Sequence, residues 1–123
     1  MNNTSVEIAA MTASMSPYSA AEIAATIAKS APEYAVDIAA SVADAVPEYA
    51  TEIALSVAKV AVDIDATRDI IINVACAVPE DAKDIFISIF KTNELNVSAE
   101  NIRYVGARLN IDYRIVNSFA ADS

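Results

Sequence analysis

Histidine is absent from this 123-residue chain, glycine and cysteine each occur once, and proline occurs four times. Each shortage excludes something. Without histidine the chain lacks the residue that most often serves as general base and metal ligand near neutral pH. A sheet-and-turn architecture consumes glycine at its turns, and a single Gly106 cannot supply one. A lone Cys76 can form neither an internal disulfide nor a metal-ligand spacing. It lies in the apolar run Ile70-Ile71-Ile72-Asn73-Val74-Ala75-Cys76-Ala77-Val78, where the expectation is a small buried core residue with no base to activate it.

Other absences narrow the function. No glycine-rich phosphate loop is present. Carboxylates alone can perform acid–base chemistry, but they need a cleft that shifts their pKa values. The expectation is therefore no enzyme, no catalytic residue, no cofactor and no metal ion. No apolar stretch approaches the roughly 20 residues that span a bilayer. Met1-Asn2-Asn3-Thr4 lacks the basic start of a signal peptide. A cytoplasmic location is expected on those absences, and a membrane partner is not.

Positive charge is also scarce. Seventeen acids against eight bases leave a net charge of −9. Residues 1–60 hold seven acids and two bases, and the remainder ten acids and six bases, so both halves are acidic. Nucleic acid is excluded as a partner, since affinity for it comes largely from Lys and Arg on phosphates. Anionic membranes are disfavoured for the same reason.

What the chain has is alanine, and a period. Pro17, Pro32 and Pro47 stand fifteen residues apart and open PYSAAEIAATIAKSA, PEYAVDIAASVADAV and PEYATEIALSVAKVA. A fixed short period dictates architecture before any single residue does. With each proline as position zero, position three is Ala20, Ala35 and Ala50, and position six is Ile23, Ile38 and Ile53. Position seven is Ala24, Ala39 and Ala54, and position ten is Ile27, Val42 and Val57. Weaker copies begin at Asn2, at Ile64 after two extra residues, and at Pro79, for six in all.

At 100° per residue the apolar repeat positions share one arc about 100° wide, the buried stripe of an amphipathic helix. Proline suits the first helical position, and it ends the preceding helix. Ser16 is the expected N-cap ahead of Pro17, while Ala31 and Val46 are poor caps. Helices this short, joined by turns of a few residues, become antiparallel neighbours. Alanine columns at positions three, seven and eleven let them approach closely. The fold expected is all-α, a short α-solenoid or helical-hairpin stack of about six ~15-residue single-helix repeats.

Residues 1–92 are assigned to the repeats and residues 93–123 to a two-helix C-terminal cap within one compact domain. One cap helix starts at the N-cap Ser98 with Ile102, Val105 and Leu109 inward; the other runs from about Asp112 to Phe119. A docking element is the alternative role for this tail, which carries Arg103, Arg108 and Arg114.

The most regular polar feature is acidic. Glu33/Asp37, Glu48/Glu52, Asp65/Asp69 and Glu80/Asp84 are pairs four apart on one helix face, and stacking would align them into a ribbon. Nearly opposite the apolar arc, they read first as the solvated face, with a basic protein or a divalent cation as alternative ligands. Tyr18, Tyr34 and Tyr49 recur near the helix starts, as core-edge packing or as an aromatic ladder for a partner. These eleven residues are the candidate partner-binding set.

The functional expectation is a non-enzymatic structural or protein-interaction module that partners another protein or itself. The repeats start almost at once with no evident N-terminal cap, so unequal ends would stack into oligomers, rings or filaments. The alternative is an amphipathic helical protein that coats a lipid or granule surface.

Overall fold

The computed structural model describes residues 4–61, 63–92, 95 and 97–120, without the side chain of Ile64. The proposed first position at Asn2, parts of the segment 93–96 and the last three residues lie outside them. Eight α-helices and no strand are present among the described residues: α1 (Thr4–Met15), α2 (Ala20–Ser30), α3 (Ala35–Ala45), α4 (Ala50–Val60), α5 (Ile64–Ala77), α6 (Ala82–Lys91), α7 (Ala99–Arg108) and α8 (Tyr113–Ala120).

Each proline opens a short 3-10 turn rather than the α-helix itself. Pro17–Ser19, Pro32–Tyr34, Pro47–Tyr49 and Pro79–Asp81 run directly into α2, α3, α4 and α6. The residue before each proline is held out of helical geometry, as the ring requires. Ala31, Val46 and Val78 adopt nearly one conformation, with φ of −133°, −133° and −131° and ψ of 68°, 69° and 75°. Eleven helical residues, three in the turn and one at the junction complete the period of fifteen. Ser16 makes no side-chain capping bond, contrary to expectation. Its backbone N–H instead donates to Thr12 and Ala13, and its carbonyl accepts from Ser19.

Where the proline is missing, a side chain takes over. The two-residue insertion ends with Asp63, whose carboxylate accepts the Ala66 N–H at 2.6 Å and caps α5. Ser98 does the same for α7, accepting from Asn101, as its place in the sequence implies.

The helices form two layers. The most extensive contacts join α1 to α3, α3 to α5 and α2 to α4, with α4 also on α6; consecutive helices meet across the layers. Odd and even helices therefore stack separately, as in a solenoid of helical hairpins. The alanine columns Ala20/Ala24/Ala28, Ala35/Ala39/Ala43 and Ala50/Ala54/Ala58 are all buried between them.

The larger apolar side chains are unevenly shared. Ile38, Val42, Ile53, Val57, Ile70, Val74, Ile85 and Ile89, at positions six and ten, are completely buried. Ile23 and Ile27 in α2 are only half-buried, and Ile8 in α1 is half-exposed. Positions six and ten thus face the preceding helix of the layer, and among the described residues no helix stands before α1 or α2 in its layer. Among the described residues, α1 and α2 completely bury nothing larger than alanine.

At the other end α7 packs on α5 and α6, and the Phe119 ring of α8 stands edge-on to Phe86, 6.0 Å between centroids. Gly106 allows α7 and α8 to meet closely. A Cβ there would lie 2.5 Å from Val116 Cγ2. Asn110, in left-handed geometry (φ 57°), ends α7, and the Ile111 N–H donates to the Gly106 carbonyl.

The single apolar-run inference about cysteine fails. Cys76 is exposed. It occupies position twelve counted from Ile64, the slot of Lys29, Asp44 and Lys59, so the helix phase turns it outward although its neighbours Val74 and Ala75 are buried.

Two outcomes follow from this packing. Ala at position 106 gains about 1 kcal/mol of helix propensity but overpacks Val116 at about 1–3 kcal/mol. Gly106→Ala should therefore lower the melting temperature, and adding Val116→Ala should recover part of the loss; a more stable single variant would contradict the close contact. Amide exchange should also be graded, since burial of a large aliphatic side chain contributes about 1.5–3 kcal/mol and alanine far less. Exchange in α1 and α2 should precede exchange in α3 to α5, as read by mass spectrometry or NMR at low concentration.

Candidate interaction surfaces

All eight carboxylates of the paired set are on the outside of the stack. Glu33, Asp37, Glu48, Glu52, Asp65, Glu80 and Asp84 are exposed and Asp69 half-exposed. The layering divides them. Glu33/Asp37 and Asp65/Asp69 belong to the odd helices, Glu48/Glu52 and Glu80/Asp84 to the even ones. Two acidic faces therefore replace the one continuous ribbon that a simple stack would give. Among the described residues no three carboxylates or cysteines converge closely enough to hold a metal ion.

Asp65 and Asp69 are occupied within the chain. Arg68 Nη1 lies 3.9 Å from Asp65 Oδ1, and Nε lies 3.5 Å from Asp69 Oδ1. The guanidinium sits over the Tyr104 ring, 4.9 Å from its centroid, linking α5 to α7 through a cation–π contact. Arg68 and Tyr104 were not singled out in the sequence. The local triplet Asp65-Arg68-Asp69 is visible there, but the ring lies 36 residues after Arg68, on another helix.

The tyrosines separate as well. Tyr18 and Tyr49, at the starts of α2 and α4, meet edge-to-face with centroids 6.0 Å apart and planes at 62°. Tyr18 is 92% exposed, while Tyr34 and Tyr49 are half-buried against the core. Tyr34 belongs to the other layer. Partial burial, with Tyr18, Glu48 and Glu52 nearby, raises the Tyr49 phenol above its usual pKa.

A different surface is the most unusual. Ile8, Met11 and Met15 of α1 are 50%, 66% and 83% exposed. Spaced three and four residues apart, they share an arc about 60° wide. The buried Ala9 and Ala13 lie on the far side of the same helix. α1 is thus apolar on two opposite faces, only one of which meets the chain. Beside the stripe, Thr12, Glu22, Ile23, Thr26 and Ile27 line an open groove between α1 and α2. The sequence held a signal for this surface. Position nine is Met11 in the first copy and Thr26, Ser41, Ser56, Asn73 or Ser88 in the others.

At the opposite end the exposed large apolar side chains among the described residues are Tyr104 and Tyr113. The turn before α8 is held by Asp112. Its Oδ1 accepts from the Arg114 backbone N–H at 2.9 Å and from Nε at 3.2 Å, and its Oδ2 accepts from Nη2 at 2.9 Å. The Arg114 side chain, then the Arg114 backbone N–H, pulls the Asp112 carboxyl from 3.8 down to about 2.

No helix among the described residues is long and apolar enough to cross a membrane. Compared with known proteins, the chain matches no described family, no curated protein and no solved structure.

The Asp112 geometry gives a pH signature. A depressed carboxyl stabilises the fold fully above its unfolded value and loses that contribution as pH falls through the folded one. The Asp112 carboxyl carbon should titrate with a midpoint near 2 rather than 3.8. Arg114→Met should raise the midpoint toward the ordinary range but not fully, because the backbone N–H at 114 still donates to Asp112, and a native midpoint near 4 would count against the bidentate pair.

Proposed function

We propose that this chain is a non-enzymatic protein-interaction module, a short α-solenoid that engages another protein chain through the outward stripe of its first helix. The observation that carries the reading is Met11, with Ile8 and Met15 beside it, on a helix face left half or more exposed. A solvent-facing helix surface is ordinarily polar, and this one is apolar. Methionine suits such a contact because its flexible, polarisable side chain adapts to irregular surfaces. The acidic faces on both layers keep the remaining surface solvated, and like charge discourages association elsewhere.

The surface-coating alternative has less support. α1 carries one charged residue, Glu7, and no Lys or Arg to reach anionic headgroups. The other repeat helices are ten to fourteen residues long and have their apolar faces inside.

Photo-crosslinking tests the reading. A benzophenone amino acid at position 11 should give a discrete protein adduct in the cells that make this chain, while the same group at Ser41 should give none. Equal labelling from both positions, or none from position 11, would remove the stripe as a docking surface. Co-flotation with uncharged lipid vesicles that is lost in Met11→Ser would instead favour surface coating.

A further inference from the structure

Resting on that reading, we infer that the protein docked on the first helix is a second copy of this chain, joined through α1 about a two-fold axis into a closed dimer.

The argument begins with which ends are open. α7 covers α5 and α6, and Phe119 closes on Phe86, so among the described residues the far end presents no comparable apolar stripe. The exposed large apolar side chains described there are the polar-tipped Tyr104 and Tyr113, beside the exposed Arg103, Arg108 and Arg114. One sticky face per chain cannot propagate. A face that binds its own copy is used up when two chains meet, which is the isologous geometry of most small oligomers. A ring or filament needs two unlike faces, and the covered far end does not supply the second.

The patch has the size for such a pair. At their observed exposures Ile8, Met11 and Met15 offer on the order of 400 Å² between them, and the neighbouring groove adds to it. Two copies would then bury about 1,000 Å² in total, the lower bound for a specific interface. The expected dimer is weak and forms with rising concentration.

Charge selects the same place. The chain carries −9, and two copies repel each other over most of their surface. α1 holds a single charge, Glu7, at the edge of the stripe, and Glu22 lines the adjoining groove. Two copies meet on the stripe itself without a charge in the contact. Because the remaining repulsion is long-range, salt screens it and should strengthen this dimer. A basic partner on the acidic faces would respond in the opposite sense.

The uneven core fits the arrangement. α1 and α2 completely bury only alanine, so they are the helices with most to gain from an external surface.

Sedimentation velocity on the purified chain across a hundredfold range of concentration, at low and high salt, tests the inference. The mass should rise from 13.0 kDa toward twice that value and level off, with more dimer at high salt. Met11→Ser installs the small polar residue found at this position in the inner repeats, and being on an exposed site it should leave helicity and melting temperature unchanged. It should weaken association by roughly tenfold or more, as expected for a central contact. A monomer at every concentration and salt, masses that climb past two, or undiminished association of Met11→Ser would each overturn the dimer. A monomer in solution together with a position-11 adduct to a different protein in cells would overturn only the second copy, and leave the docking stripe in place. No adduct and no dimer would remove both.

Discussion

Close contact at alanine governs this structure. With methyl groups at positions three, seven and eleven of α2, α3 and α4, neighbouring helices can pack near the low end of the 8–10 Å range, whereas α5 and α6 bury Ile71 and Phe86 at position seven. Nine of these residues are buried between the layers in three successive copies. The contact is repeated by translation, so every copy must return the chain to the same place. That requirement explains why the junctions before Pro32, Pro47 and Pro79 share one backbone geometry. It also explains Asp63, which caps α5 at the one junction where no proline sets the turn. Gly106 extends the same principle to the far end, where even a methyl group would collide with Val116.

A core of alanine holds helices close but stabilises each one little. The larger side chains supply the difference, and they are complete only from α3 onward. The molecule therefore has a firm middle and two different ends. One is closed by aromatic contacts of Phe86 with Phe90 and Phe119, and by Arg68 over Tyr104. The other carries Ile8, Met11 and Met15 on its outer side. This asymmetry, more than the regular acidic pattern, sets the outer side of α1 apart from the rest of the described surface.

The acidic pairs show how a regular sequence feature can be divided by the fold. Along the chain they recur at intervals of fifteen, seventeen and fifteen residues, which suggests one line of charge. Helix stacking in alternate layers sends successive pairs to different faces, and Arg68 uses one pair internally. The tyrosine series divides in the same way, leaving Tyr18 against Tyr49 and Tyr34 elsewhere.

The sequence by itself determined what depends on local phase: the helices, their fifteen-residue period, the turns at proline, the buried alanine columns and the cap at Ser98. Those properties arise within about two helical turns, where a residue and its neighbours three and four places away settle the geometry. Even the exposure of Cys76 was legible in the repeat register, although its apolar neighbours pointed the other way. Only the tertiary structure decided which helices share a layer, that Ser16 is bypassed as a cap, that Tyr104 shields Arg68, and that the first helix shows an apolar face to the outside. Each of these depends on a neighbour distant along the chain, or on the lack of one, and periodicity carries no information about which neighbour is present.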